Sequence, residues 1–336
     1  MPQFGGGKAA AGAFYDTDFT TIDSLLAVSL LYGLQGKNDC KVAVVSMSRP
    51  NLAVAGFADT VIRFYHGPAA NFAQVPPIGM RTEGSAGETS PAFTVPFQKK
   101  KEDGTPTYKN YVKSVIDTGD PLTLLRNYLE AQVDQNAFMV LAGPASNLAT
   151  ALAYPGIKPL LTAKLKYLVA ATGAYPTGAS PHIKADIAAA KKLFAEWPTP
   201  IVACGTEVGT ALEFPGASID KQFADAVPDN PVADAYRAYK TMPYDTPSPA
   251  MAAALHAARP KENYFKLSAP GKIAVDDQGR TSFTAADKGT HQYLIADPTQ
   301  KDKIMLAYID LASAKPEARR GRGPAAVQDT PPPAKK

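Results

Sequence analysis

Three aspartates fall close together near the start of the chain, in the stretch F-Y-D-T-D-F-T-T-I-D-S-L-L-A-V over residues 14–28. Asp16 and Asp18 end a short apolar run. Thr20 and Thr21 follow, then Asp23, and an apolar, helix-like run begins at Leu25. This order reads as a strand that delivers two carboxylates at its C-terminal end, a short loop and a helix start. In open α/β sheets the crevice beyond such strand ends is where ligands bind. Carboxylates this close repel one another unless a cation, a proton or sugar hydroxyls stand between them. The chemistry on offer is therefore cation binding, diol binding and proton abstraction. The bland alternative is that Asp16 or Asp18 caps the helix, a role that Asp and Thr both fill well.

The elements that must position these acids follow from the apolar pattern. Residues 13–16 read as a first strand and residues 21–34 as a mostly apolar helix. Residues 42–46 form a second buried strand, and residues 53–65 a helix stopped by His66-Gly67-Pro68. Residues 67–110 are rich in Gly, Pro, Thr and Lys and show little periodicity, as functional or mobile segments do. Alternation resumes with a helix over 121–132, a strand over 137–142, a helix from Leu148, a strand over 165–171, a helix over 185–197 and a strand over 200–204. Helices follow over 231–240 and 248–258. Residues 264–267, 273–275 and 281–283, with a turn at Asp277-Gln278-Gly279, read as a small antiparallel ribbon. A last helix covers 299–313. Strand and helix alternating in this way specify an α/β fold, a mostly parallel open sheet with helices on both faces. Residues 1–12 read as a flexible N-terminus, 13–313 as one α/β domain and 314–336 as a disordered basic, Pro-rich tail.

Composition sets the outer bounds. The chain has 336 residues, 45% hydrophobic and 20% charged, with 30 prolines. That is ordinary for a globular chain with a sizeable core and many ordered turns. The formal net charge is +4. From Lys315 onward there are six basic residues (Lys315, Arg319, Arg320, Arg322, Lys335, Lys336) and two acids (Glu317, Asp329), and six minus two is four. The body is thus formally neutral, which argues against a body that binds nucleic acid. No apolar run reaches the roughly 18 residues of a membrane helix. The N-terminus has no basic start followed by an apolar core, so a cytoplasmic location is expected. Cys40 and Cys204 are too few for a disulfide framework. Cys204 reads as a buried structural thiol. Gly5-Gly6-Gly7-Lys8 lacks the spacing of a phosphate-binding loop, and His66, His256 and His291 lack metal-ligand spacing.

Taken together, several motifs in order resemble the inosine–uridine-preferring nucleoside hydrolases. D-T-D followed by I-D and an apolar helix is similar to that family's opening D-x-D-P-G-x-D-D. G-P-A-S-N-L-A at residues 143–149 resembles its G-x-x-T-N-[IL]-A element. K-A-D-I-A-A-A-K-K-L-F-A-E-W-P-T-P-I-V from Lys184 resembles its D-P-E-A-A helix and the following strand. The C-terminal Y-F-K-L-S-A-P-G-K-I-A-V-D-D-Q-G-R-T, with His291-Gln292-Tyr293-Leu294, is similar to a bacterial branch of the same superfamily. The resemblance covers roughly residues 13–313. It implies hydrolysis of the N-glycosidic bond of a ribonucleoside, a small-molecule riboside as partner and a homo-oligomer. It also implies a calcium ion, held by carboxylates, that binds the ribose diol and a water.

Carried over by position, the resemblance makes Asp16 and Asp18 the first two acids, with Asp18 as metal ligand and catalytic base. Asp23 is either the ribose-binding acid, with Ser24 in the place of a metal ligand, or the ligand itself, with Ile22 in the place of the ribose contact. Either way one carboxylate of the family's pair is gone. Phe19 and Thr20 replace its proline and glycine. Ser146 would offer its backbone carbonyl to the metal, and Asn147 lies beside it as a substrate contact or a helix tether. The ribose-contacting E-x-N falls on Ser180-Pro181-His182, where His182 is either a donor to the sugar or a surface histidine. The last family acid falls on Pro249-Ala250, and Asp245 stands in only if its loop is reshaped; otherwise it caps the helix near 248. A depleted carboxylate set holds a hard cation weakly or not at all. Three readings follow: a nucleoside hydrolase with a degraded calcium site, a lapsed relative kept for binding or structure, or an unrelated α/β protein whose acids are caps.

Overall fold

The structure, a computed structural model, describes residues 10–67 and 74–316. The N-terminal stretch before residue 10, the glycine-rich Gly5–Gly7 included, and the basic tail beyond residue 316 lie outside the described residues.

The first strand, β1 (Ala11–Thr17), is buried on both faces, as a continuous apolar run at the centre of a parallel sheet must be. It begins two residues earlier than the apolar pattern suggests, because Ala11 and Gly12 pair with Cys40 and Lys41 of the neighbouring strand. A loop leads into α1 (Ile22–Gly36), then β2 (Cys40–Met47), α2 (Leu52–His66) and the short β3 (Ile78–Met80). The weakly periodic segment beyond contributes only 3₁₀ turns at Pro91–Phe93, Val95–Gln98 and Val115–Asp117. Then come α3 (Pro121–Glu130), β4 (Ala137–Ala142), α4 (Ser146–Ala151), α5 (Ile157–Lys164), β5 (Leu165–Ala170), β6 (Thr177–Ala179), α6 (Pro181–Ala185), α7 (Ile187–Glu196), β7 (Ile201–Ala203) and α8 (Thr206–Ala211). The one-turn α9 (Ala224–Ala226), α10 (Pro231–Tyr239) and α11 (Pro249–Ala258) precede β8 (Phe265–Leu267), β9 (Gly271–Val275), β10 (Arg280–Ala285), β11 (His291–Ala296) and α12 (Lys301–Ala312).

The strands form one sheet in the order β3-β2-β1-β4-β5-β7-β11-β9-β10-β6, with β8 added beside β11. From β3 to β11 every neighbouring pair is parallel. β9, β10 and β6 extend it in antiparallel fashion. The expected ribbon is present, but it is no isolated hairpin set. Phe265–Leu267 pairs with β11, not with β9. The ribbon is stitched to the main sheet by β11, a strand that the pattern of H-Q-Y-L-I-A left unassigned. The turn between β9 and β10 is fixed by Asp276, whose carboxylate accepts from the amides of Gln278 and Arg280.

Helices cover both faces. One apolar layer joins α1, α2, α10, α11 and α12 to the sheet, and the other joins α3, α4, α5 and α7. The close approach of α1 to α12 is set by Gly33: a Cβ there would lie 2.1 Å from the Leu311 carbonyl oxygen. The alanine-rich α11 is buried along almost its full length. Small side chains let it lie close to α1 and bring its N-terminus to the edge where β1 ends. Among the described residues no helix is long and apolar enough to cross a membrane.

Candidate functional site

The chain winds from β1 to β2 and β3 on one side and then returns to place β4 on the other side of β1. The C-terminal end of β1 is therefore a switch point of the sheet, where the two neighbouring connections part and leave a crevice. Asp16, Asp18 and Asp23 all lie at this end, and all are buried. None of them caps α1: its N-cap position is Thr21, and no side chain there accepts a helix amide.

Asp16 projects from the last turn of β1, fully buried. The Asn147 side-chain amide donates to its Oδ2 at 2.9 Å and also reaches the Ser46 hydroxyl and the Met47 carbonyl. Asn147 is thus a clamp that ties α4 to β1 and β2. Asp16 Oδ1 has no hydrogen-bond partner. Burial pushes the Asp16 carboxyl up to about 7, only partly offset by the Asn147 amide. A proton on Asp16 near neutral pH relieves the crowding of the three acids.

Asp18 is held by a local turn and by a cation. Its Oδ1 accepts from the Thr20 backbone amide and hydroxyl, at 3.2 and 2.9 Å. Its Oδ2 accepts from Arg49 Nε at 2.7 Å. The loop between them is strained. Phe19 sits at φ 48°, a left-handed conformation uncommon for a bulky residue. It is kept there by the Thr17 hydroxyl, which accepts its amide, and by stacking on Phe93 at 5.8 Å.

Asp23 stands in the first turn of α1. The Thr21 hydroxyl donates to its Oδ1 at 2.6 Å and the Ala250 amide, at the start of α11, to its Oδ2 at 2.7 Å. Burial raises its carboxyl above the usual range, against the pull of those two donors. Ser24 shares its hydroxyl with Thr21 and gives its carbonyl to the Tyr15 hydroxyl.

His182 is no surface histidine: its side chain is 13% exposed and faces a cavity. Nδ1 lies 3.2 Å from the Ala171 carbonyl, which can only accept, so Nδ1 carries a proton. Nε2 then points toward Asp18 Oδ1, 3.8 Å away. The cavity has a volume of about 270 Å³, and its walls include Thr21, Asp23, His182, Cys204, Tyr239 and Ala250. Lys240 stands at its rim and lies 5.5 Å above the Tyr239 ring. Burial pushes the Cys204 thiol well above its ordinary value, which makes it an inert wall.

Two expected residues are turned elsewhere. The Ser146 carbonyl accepts from the Thr150 hydroxyl at 2.9 Å, and the Ser146 hydroxyl donates to Asp186. Asp245 is exposed, and its carboxylate accepts from the Gly216 amide at 2.9 Å. Nor does Asp245 cap α11, whose N-cap position is Ser248. Arg49 is the residue that sequence reasoning missed. The available signal was its place: it follows β2 by two residues, and Ser46 and Met47 of β2 pair with Asp16 and Thr17. In a parallel sheet, residues just past neighbouring strand ends share one edge.

No family model matches this sequence, and no curated protein matches it. Solved structures match over nearly the whole fold. A purine-preferring ribonucleoside hydrolase from Gardnerella vaginalis is 16% identical, over 90% of this chain and 99% of its own, with a TM-score of 0.66. An inosine–uridine preferring nucleoside hydrolase from Bacillus anthracis is 16% identical over the same shares, with a TM-score of 0.65. The chain has the nucleoside hydrolase fold. A type III effector protein, XopQ, solved in complex with adenosine diphosphate ribose, is 11% identical over 91% of this chain and 94% of its own, at a TM-score of 0.61.

On that fold, the acids at the β1 edge are where the resemblance puts calcium, and the donor set does not fit it. The three aspartates carry six carboxylate oxygens, and five are already engaged by Asn147, Thr20, Arg49, Thr21 and the Ala250 amide. Only Asp16 Oδ1 is unengaged, whereas calcium takes about six to eight oxygens. At Ala250, where the resemblance places the last family acid, the chain offers an amide to Asp23 instead. Among the described residues no group of three or more His, Cys, Asp or Glu side chains is placed to hold a metal ion.

Proposed function

We propose that this chain binds a ribonucleoside or a related N-riboside at the β1 edge and is retained for that binding, with glycosidic hydrolysis lost or slow. The observation that carries this reading is the convergence of Asp18, Asp23 and His182 on one crevice beside a cavity of about 270 Å³. The cavity is close to the lower end of the range for small-ligand sites, roughly 300 Å³. Carboxylates suit a cis-diol, since an oxygen that already accepts one hydrogen bond keeps a second acceptor site for a sugar hydroxyl. Solved proteins of this fold include nucleoside hydrolases and an effector complexed with adenosine diphosphate ribose; nucleosides and this ligand share an N-riboside.

Loss of turnover follows from the engaged acids. A general base must be free to take a proton from water. Asp18 instead has one oxygen bonded to Arg49 and the other to Thr20, which restricts its approach to a water. The pair His182 and Asp18 favours a second reading, slow hydrolysis with Asp18 as the base. Calorimetric titration with inosine, uridine, adenosine and adenosine diphosphate ribose, paired with a ribose-release assay on the same protein, tests both. Binding without ribose release supports the first reading, and release abolished by Asp18→Asn supports the second. Saturable binding of none of these ligands overturns both.

A further inference from the structure

We propose that Arg49 is a permanent cation that takes the place of a metal ion at the β1 edge, so that this crevice works without calcium and admits calcium only after Arg49 is removed. The proposal deepens the riboside-binding reading at the same site, but its central measurement needs no riboside.

Four observations carry it. First, Arg49 Nε lies 2.7 Å from Asp18 Oδ2, while Asp18 is fully buried and Arg49 is 21% exposed. A calcium ion on that oxygen, at about 2.3–2.6 Å, would share it with a guanidinium and lie within direct repulsion of it. Second, Ala250, where the resemblance places the last family acid, supplies no carboxylate, and its amide donates to Asp23 Oδ2 at 2.7 Å. A backbone donor stabilises the Asp23 charge and occupies one acceptor site of that oxygen without adding a ligand. Third, space is kept for the guanidinium. A Cβ on Gly87 would lie 3.1 Å from Arg49 Nη1, and Gly87 is at φ +69°, where a side chain is disfavoured. The segment carrying Gly87 is anchored by Asn51, whose side-chain amide reaches the Ala86 carbonyl and the Thr89 hydroxyl. Fourth, among the described residues the Arg49 side chain makes one protein hydrogen bond, through Nε. Its terminal nitrogens are left as cationic donors at the mouth of the crevice. They offer a ligand oxygen what a metal ion would offer, a positive charge with fixed direction.

The pairing of the acids agrees. Asp23 is met by two donors and Asp18 by Thr20 and Arg49, so each of these acids has its own partners with no ion present.

Calcium titration by calorimetry, on the full chain without riboside, decides it. Three proteins are compared: the natural chain, Arg49→Met and the double variant Arg49→Met with Ala250→Asp. A thermal melt confirms that each is folded. The natural chain is expected to show no calcium isotherm at millimolar calcium. Arg49→Met should bind calcium, with affinity at least about tenfold above the natural chain once the repelling charge is gone. The double variant should bind more tightly again, and its melting temperature should rise on adding calcium. Calcium bound by the natural chain and lost on Asp18→Asn overturns the proposal. So does a folded double variant that gives no calcium isotherm. A riboside titration run with and without chelator reads the function separately: absent riboside binding sinks that reading while leaving the calcium result intact.

Discussion

The two walls of the crevice are built on opposite terms. The β1 wall carries Asp16, Asp18 and Asp23 with a donor for nearly every oxygen. The facing wall, around α6 and the start of α11, includes Pro181, Pro247, Pro249 and Ala250, with His182 and Thr246 among its polar members. Buried acids persist on one wall because internal donors satisfy them, and the other wall adds no charge that an ion would have to neutralise. A buried carboxylate cluster is thus no signature of a metal when the protein itself supplies the counter-charges. Here an arginine, an asparagine, two threonines and one helix amide do so.

That contrast can be broken most severely at Asp18. Asp18→Ala removes the carboxylate beside His182 at the β1 edge and leaves Arg49 without its partner. Riboside affinity should fall about a hundredfold, the equivalent of roughly 3 kcal/mol for a charged hydrogen-bonding group. Unchanged affinity in a calorimetric titration would mean that the ligand sits elsewhere.

Asp16 tests whether the β1 wall tolerates its charge. Its folded-state value, about 7, lies above the ordinary 3.8, so the folded chain holds a proton that the unfolded chain has released over that window. The stabilising contribution is complete below about pH 4 and disappears as pH rises through 7. Asp16→Asn keeps an acceptor for Asn147 and places an amide at the unpartnered oxygen. It should raise stability by about 1–3 kcal/mol at pH 8, and this gain should vanish toward pH 4. Denaturant unfolding at both pH values measures it; a gain that is the same at both would contradict the assigned cause.

On the facing wall, His182→Ala should weaken riboside binding about tenfold, near 1.4 kcal/mol, because the hydrogen-bonding position at Nε2 is lost. The fold should be unaffected, as a melt would confirm. Lys240→Ala, at the exposed rim, should change affinity by less than about threefold. The smallest effect is expected from a chelator: neither riboside affinity nor melting temperature should move, and a melting-temperature drop on chelation would show a bound ion that these walls do not accommodate.

Much of this was readable in the chain itself. Alternating apolar runs gave away the parallel sheet, since strands buried on both faces cannot be polar, and D-T-D at the end of the first run put two acids at a strand terminus. The ribbon's pairing was not readable. β8 and β11 are short, and which strand partners which is a long-range choice that no local pattern records. The acids' partners were equally hidden. Arg49 lies 31 residues from Asp18, and Ala250 lies 227 from Asp23. Asp245 carried the wrong promise, because proximity in sequence to α11 said nothing of its bond to Gly216.

By itself the sequence determined which residue types stand at the C-terminal edge of the first strand and that a parallel sheet carries them there, because periodicity and strand polarity are local properties. Only the tertiary structure decided what those acids face. Beyond the local Thr20 and Thr21, the donors arrive from the loop after β2, from α4 and from α11, and only the packing of those elements around β1 brings an arginine, an asparagine and a helix amide to the same three carboxylates.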